Sequence, residues 1–298
     1  MSEKGKHCTK SKEGNMKKPY HVVSFSGGKD STAMLLHMLE LGMPVDEVVN
    51  VDTGMEFPAM YRHIEKVRAV VETAGVKFTM LKADKTFEYY LTRHPVKRRN
   101  PKFAGVLGYG WPGPRSRWCT RVLKINVLRK YTRDLRNAYN VIWYIGLAAD
   151  ETARLVRKHN NADDQRHPLT EWGWTEADAL KYCYDHGYDW EGLYKLFKRV
   201  SCWCCPLQPL EELRKIRRFF PKLWERLFEL DSQQCRRNFN ASNSLAQLEA
   251  RFALEEERVA QGLTINARSK EFKAALAERL EKQECREGEP HGKRESDL

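Results

Sequence analysis

Seven consecutive residues, Ser26-Gly27-Gly28-Lys29-Asp30-Ser31-Thr32, bring two glycines, a lysine, an acid and three hydroxyls to one point of the chain. That set suits a phosphate. Glycine lets the backbone turn and approach a ligand without a Cβ clash, Lys29 adds a point charge, and the hydroxyls of Ser26, Ser31 and Thr32 add donors. The preceding His21-Val22-Val23-Ser24-Phe25 is short, β-branched and aromatic, and reads as a buried strand. Helix formers follow from Thr32 to Leu39, with no breaker until Gly42. The loop therefore joins a strand end to a helix start, where the first free N–H groups face an anion. A Gly-Gly turn in which Asp30 or Ser31 merely caps the helix would use the same residues. The density of donors favours phosphate. The spacing is not that of Walker A, which needs four residues between its glycines and then Lys-Ser/Thr.

Two further segments end expected strands. Val51-Asp52-Thr53-Gly54-Met55-Glu56-Phe57-Pro58 sets Asp52, Thr53, Gly54 and Glu56 at the C-terminal edge of a sheet, where an acid can bond a ribose or hold a metal. A plain turn and helix start, with Pro58 early in the helix, is the alternative. Gly146-Leu147-Ala148-Ala149-Asp150-Glu151-Thr152-Ala153-Arg154 has a cation, Arg154, that Glu151 can position. Here too a strand-to-helix connection capped by Asp150 would suffice.

Eight cysteines argue for metal or redox chemistry. Cys202-Trp203-Cys204-Cys205-Pro206 contains a Cys-x-x-Cys pair with a third thiol inside it, and Cys119 stands alone in Arg117-Trp118-Cys119-Thr120. Clustered cysteines followed by proline are an iron–sulfur context, and zinc accepts the same ligands. Cys8 reads as an incidental thiol.

Ser26–Ser31 closely resembles the Ser-Gly-Gly-x-Asp-Ser pyrophosphate loop of the N-type ATP pyrophosphatases and phosphoadenosine phosphosulfate (PAPS) reductase-like proteins, the PP-loop superfamily. Asp52–Pro58 is similar to that family's Asp-Thr-Gly-x-x-Phe-Pro signature. The stretch 146–154 looks like its Gly-x-Arg-x-x-Glu-Ser-x-x-Arg, with Ala148 where the family has its first arginine. The resemblance covers roughly residues 19 to 230. It implies an α/β fold with a mainly parallel twisted sheet, helices on both faces and a helical Cys-containing C-terminal region. It implies Ser24, Ser26, Gly27, Gly28, Lys29, Asp30, Ser31, Thr32, Asp52, Thr53, Gly54, Glu56, Gly146 and Glu151 as nucleotide-binding residues, and Lys29, Asp30 and Arg154 as catalytic ones. Relatives of the DNA phosphorothioation type and the assimilatory APS reductases carry a [4Fe–4S] cluster. That likeness implies Cys119, Cys202 and Cys205 as ligands with Cys204 as the leading fourth, Cys183 and Cys235 remaining as alternatives. Sulfonucleotide reductases also carry Glu-Cys-Gly-x-His near the C-terminus. This chain shares only Glu284-Cys285, and an incidental thiol is the better reading of Cys285.

The elements that must position these groups alternate. Strands are expected at 21–25, 47–51, 76–81 and 140–146, and helices at 31–41 and about 58–74. Helical pattern returns at 176–187, 190–199, 209–218, 221–230 and 243–258, followed by a Ser/Lys/Glu-rich segment and a polar tail. The Pro- and Gly-rich stretch 94–118 reads as a functional loop or lid. The expected divisions are a flexible basic tail over 1–18, a nucleotide-binding α/β domain over 19–200 and a Cys-motif and helical region over 201–298. A hydrophobic fraction of 41% over 298 residues is globular. No apolar run approaches the roughly 20 residues that span a membrane, and Met1–Lys6 leads into polar sequence rather than a signal-peptide core, so a cytoplasmic protein is expected.

The net charge of +12 points to an anionic partner. Thirteen cations lie between Leu91 and Arg136, opposed only by Asp134, with Phe103, Tyr109, Trp111 and Trp118 interleaved. The mixture suits nucleic acid, and a solvated face is the alternative. Together these readings favour an ATP pyrophosphatase that uses Mg²⁺ and adenylates an acceptor for sulfur transfer, with a nucleic acid as acceptor and a sulfur donor protein as partner. The alternatives are a reductase acting on APS or PAPS, and a non-catalytic nucleotide- and nucleic-acid-binding subunit of a defence or modification complex.

Overall fold

The structure is a computed structural model that describes residues 17–156, 162, 164–235 and 238–288, with side chains described to residue 281. Most of the expected basic tail, Cys8 and the Cys285 side chain lie outside the described residues. The chain divides into two compact units. The first comprises Met1–Asp52, Pro58–Lys82 and Lys124–Leu193, and the second Thr53–Phe57, Ala83–Leu123 and Tyr194–Leu298. This differs from a boundary at 200/201, because the second unit also takes the turn after the second strand and the whole 83–123 stretch.

The first unit is built on a parallel five-stranded sheet of β1 (Pro19–Ser24), β2 (Glu47–Asp52), β3 (Lys77–Lys82), β4 (Asn140–Ile145) and β5 (Gln165–Arg166), in the order β3-β2-β1-β4-β5. The first four coincide with the expected strands to within two residues at each end; β5 is too short to leave a pattern. Strand order reverses across the β1–β4 pair, so the crevice beyond their C-terminal ends is where such a sheet takes a ligand. Val22, Val23, Val48 and Val49 are buried, as strands covered on both faces require.

Helix α1 (Lys29–Glu40) buries Met34, Leu35 and Met38, and α2 (Pro58–Thr73) starts with proline, whose missing N–H costs nothing at a first turn. After α3 (Phe87–Thr92), a π-helical turn at Thr120–Ile125 runs into α4 (Asn126–Ala138). The basic composition hid α4. Leu128, Tyr131 and Leu135 pack on Val22, Val49, Val141 and Trp143, while its arginines are exposed. Two short helices, α5 (Thr152–Leu155) and α6 (Pro168–Glu171), precede α7 (Glu176–Asp185), which is started by a Thr175–Asp178 capping box.

The second unit holds α8 (Leu193–Leu196) but for its first residue, α9 (Leu210–Phe219), α10 (Pro221–Ser232), α11 (Leu245–Ala260) and α12 (Lys270–Gly288). The last replaces the expected polar tail. The 94–118 stretch is irregular, as its glycines and prolines dictate, but it is anchored rather than a lid. Gly108, Tyr109 and Gly110 donate backbone bonds to His94, Tyr90 and Leu91, and a Cβ on Gly108 would meet the Leu91 carbonyl oxygen at 2.2 Å. Among the described residues no helix is long and apolar enough to cross a membrane.

Candidate functional site

The loop between β1 and α1 folds on itself. Ser31 Oγ donates to the Gly28 carbonyl at 3.0 Å and accepts from Ser26 N–H at 3.1 Å, while Ser26 stays exposed. Ser31 thus closes the loop more than it offers a donor to a ligand. Gly27 has φ +79°, and a Cβ there would sit 2.9 Å from both Ile64 Cγ1 and Met60 Sδ. Only glycine fits without strain and without displacing the Ile64 and Met60 side chains. Gly28 is the residue before the first helical turn, so the N–H groups of the residues that open α1 have no partner within the helix.

Lys29 is 7% exposed and is paired with Asp30 at 2.9 Å and Glu176 at 3.3 Å. Burial pushes the Asp30 carboxyl up from its ordinary value, against the pull of Lys29. Glu176 opens α7, and its own N–H donates to Asp150 Oδ1 at 3.0 Å. The segment after β4 is therefore tied to the helix that supplies a partner of the loop lysine. A Cβ on Gly146 would approach Ser31 N at 2.8 Å, so the residue after β4 lies against the backbone of the first turn of α1. Glu151 bonds both Arg154 and the Ala148 N–H. Ala148, at the family's arginine position, is fully buried. Asp52, at the end of β2, is bonded by Lys82 at 2.9 Å and Tyr61 OH at 2.9 Å.

What holds the loop from beneath was not legible beforehand. Thr32 is fully buried and bonds His63 Nε2 at 2.9 Å, so its hydroxyl faces inward rather than toward phosphate. Burial pushes the His63 pKa down to about 3 and keeps the ring neutral. Trp190 packs its ring at a tilt against His63, centroids 4.4 Å apart, and donates Nε1–H to the Gly27 carbonyl at 2.8 Å. Cys183 is buried against the Lys29 carbonyl, with its pKa pushed up to about 12 by burial and by Asp30. That packing makes Cys183 a support of the loop.

In the second unit the cysteines gather around a tight turn. Cys205 N–H donates to the Cys202 carbonyl at 3.1 Å, and Gln208 Nε2 bonds the same oxygen at 2.8 Å. Cys202 Sγ lies 3.5 Å from Glu56 Oε1 and 3.9 Å from Thr53 Oγ1, and Trp203 N–H donates to the Met55 carbonyl. Thr53 and Glu56, expected with a nucleotide or Mg²⁺, are thus neighbours of a thiol. Cys204 is 2% exposed; burial raises its pKa well above the ordinary value, and the nearby Cys202, Cys205, Cys119 and Glu56 add to the rise. Cys119, Cys202 and Cys205 therefore all lie within electrostatic range of Cys204. Cys235 instead packs against Arg98 and the Gly108 carbonyl. The four thiols have the donor chemistry of a cluster or zinc site, although among the described residues no three Cys, His, Asp or Glu side chains close around a metal-sized point.

The basic stretch also resolves differently from its pattern. Trp111 and Trp118 are buried, bonding Asp231 at 2.6 Å and the Gly110 carbonyl at 2.9 Å, so neither offers a face to a base.

Residues 20–208 match the family described as phosphoadenosine phosphosulfate reductase domain. The uncharacterized protein MJ0066 of Methanocaldococcus jannaschii is 30% identical over 218 residues, covering 71% of this chain and 41% of that protein. MJ0973 of the same organism is 25% identical over 209 residues, covering 68% and 46%. The nin region protein ORF290 of Escherichia phage lambda is 34% identical over 154 residues, covering 46% and 51%. The matched chain spans less than half the length of the two Methanocaldococcus relatives. Among solved structures, the U34-tRNA thiolase NcsA from Methanococcus maripaludis with its [4Fe-4S] cluster aligns with a TM-score of 0.37 at 15% identity, covering 86% of this chain and 77% of that one.

Proposed function

From the premise that the chain belongs to the phosphoadenosine phosphosulfate reductase domain family, we propose that it cleaves ATP between the α- and β-phosphates and adenylates an acceptor for sulfur transfer. One observation carries this reading: a preformed phosphate loop with a buried lysine at the β1–β4 switch point. The backbone of Gly27 and Gly28 and the opening N–H groups of α1 hold the phosphates, and the Ser26 hydroxyl, bonded to Ser31 Oγ at 3.0 Å in the free loop, turns to add a donor. Lys29 turns from Asp30 and Glu176 toward the departing pyrophosphate. Asp30 and Asp52 bind Mg²⁺ or the ribose, and Arg154, oriented by Glu151, meets the charge that develops at the α-phosphate. The acceptor oxygen forms its bond to the α-phosphorus as the bond to the bridging oxygen breaks.

Cys119, Cys202, Cys204 and Cys205 would hold an iron–sulfur cluster, or zinc on the same ligands; bound there, the cluster would supply a site for the incoming sulfur. Glu56 orients the Cys202 thiol. The buried Ala148 disfavours the sulfonucleotide reductase reading, since no cation reaches a sulfonate from that position. Pyrophosphate release from ATP tests the proposal. Lys29→Ala is expected to lower the rate by at least about 100-fold, and an unchanged rate refutes the assignment.

A further inference from the structure

The sheet of the first unit has another recess, on the face that α4 covers. A cavity of about 450 Å³ lies there, lined by Leu128 and Trp143, by Ser24 at the end of β1 and by Gln165 in β5. That volume is in the range of small-ligand sites. Gln165 Oε1 is buried and has no hydrogen-bond partner among the described residues. A ligand edge that donates a hydrogen bond would satisfy it.

Arg129, Arg133 and Arg136 also line the cavity. Their spacing of four and three residues puts them in one stripe along α4, with about 6 Å of helix rise between the first two. Arg136 is tied to Asp164, Arg133 reaches Asp134 only at 3.8 Å, and Arg129 has no acidic partner among the described residues. Arg129 and Arg133 are both exposed. An exposed row of cations beside a recess suits a run of phosphates with one base turned inward, more than a single small anion.

We propose that this face binds a single strand of nucleic acid. One unstacked base enters the recess over Leu128 and the reachable edge of the largely buried Trp143, its edge bonds Gln165, and the flanking phosphates lie on Arg129 and Arg133. The proposal rests on the adenylation reading and names its acceptor. Ser24 lines the cavity and lies two residues before Ser26, so base and phosphate loop share one strand end.

The test is fluorescence anisotropy of the full chain with a labelled, mixed-sequence single-stranded oligonucleotide across a salt series, with Mg·ATP binding measured in parallel by calorimetry. Arg129→Ala with Arg133→Ala is expected to reduce the slope of log affinity against log salt by about 1.4, at about 0.7 per lost phosphate contact. Mg·ATP binding stays unchanged. Gln165→Leu is expected to keep the slope but level the preference among homopolymer strands. Equal affinity of the double variant and the parent overturns the proposal, as does binding of duplex or of free mononucleotides as tight as that of the single strand. A parent chain that binds the oligonucleotide but not Mg·ATP fails the adenylation reading instead and leaves the strand site standing.

Discussion

The phosphate loop and the cysteine group assemble reactive side chains by opposite means. The loop is one unbroken stretch whose shape is fixed from below by His63, Trp190 and Cys183. The cysteines come from two separate stretches of the chain and are set by a turn and by Glu56. In the loop the supporting groups are neutral and buried, so the strength of the site lies in backbone geometry. Around the cysteines a buried thiol lies next to other thiols and a carboxylate, an arrangement that deprotonation without a bound cation would penalise.

That contrast predicts that Cys204→Ser loses most of whatever iron or zinc the anaerobically purified parent carries, whereas Cys183→Ser retains it and loses thermal stability. Elemental analysis with a melting curve checks both. Equal metal loss in the two variants would erase the distinction.

The neutral support of the loop has a pH signature. Because His63 has a folded pKa of about 3 and an unfolded value near ~6.5, the unfolded chain takes up this proton first as pH falls. The contribution is intact above pH ~6.5 and is lost toward pH ~3, amounting to something on the order of 5 kcal/mol. Urea unfolding across that window should show a shallower acid limb in His63→Gln.

Gly27→Ala combines a positive φ with a 2.9 Å approach to Met60 and Ile64 and is expected to cost about 3 kcal/mol, measured by the same unfolding experiment. Trp190→Phe deletes the bond to the Gly27 carbonyl. It should raise KM for ATP about fivefold, near ~1 kcal/mol, with little change in metal content.

The loop and four of the five strands were legible in the sequence because each is contiguous and carries its own pattern. Its supports were not, since Thr32, Lys29 and Gly27 meet partners 31, 154 and 163 residues away. Buried His63 and Trp190 leave no local mark that separates a support from ordinary core. Glu176 stood only as the first residue of an expected helix and is also a partner of Lys29. The basic stretch misled in two ways. Trp111 and Trp118 are core residues, and the apolar stripe of α4 was masked by the arginines around it. The grouping of Cys119 with Cys202–Cys205 came from family likeness, because no spacing in the chain encodes that proximity.

Which bond of ATP breaks defines the reaction. Incubating the anaerobically prepared protein with Mg·ATP labelled on the α-phosphate and a single-stranded nucleic-acid acceptor, then resolving the products by anion exchange, decides it. Label on AMP or on an adenylated acceptor, with an equal amount of pyrophosphate, is the predicted result. Label on ADP with release of orthophosphate would contradict it.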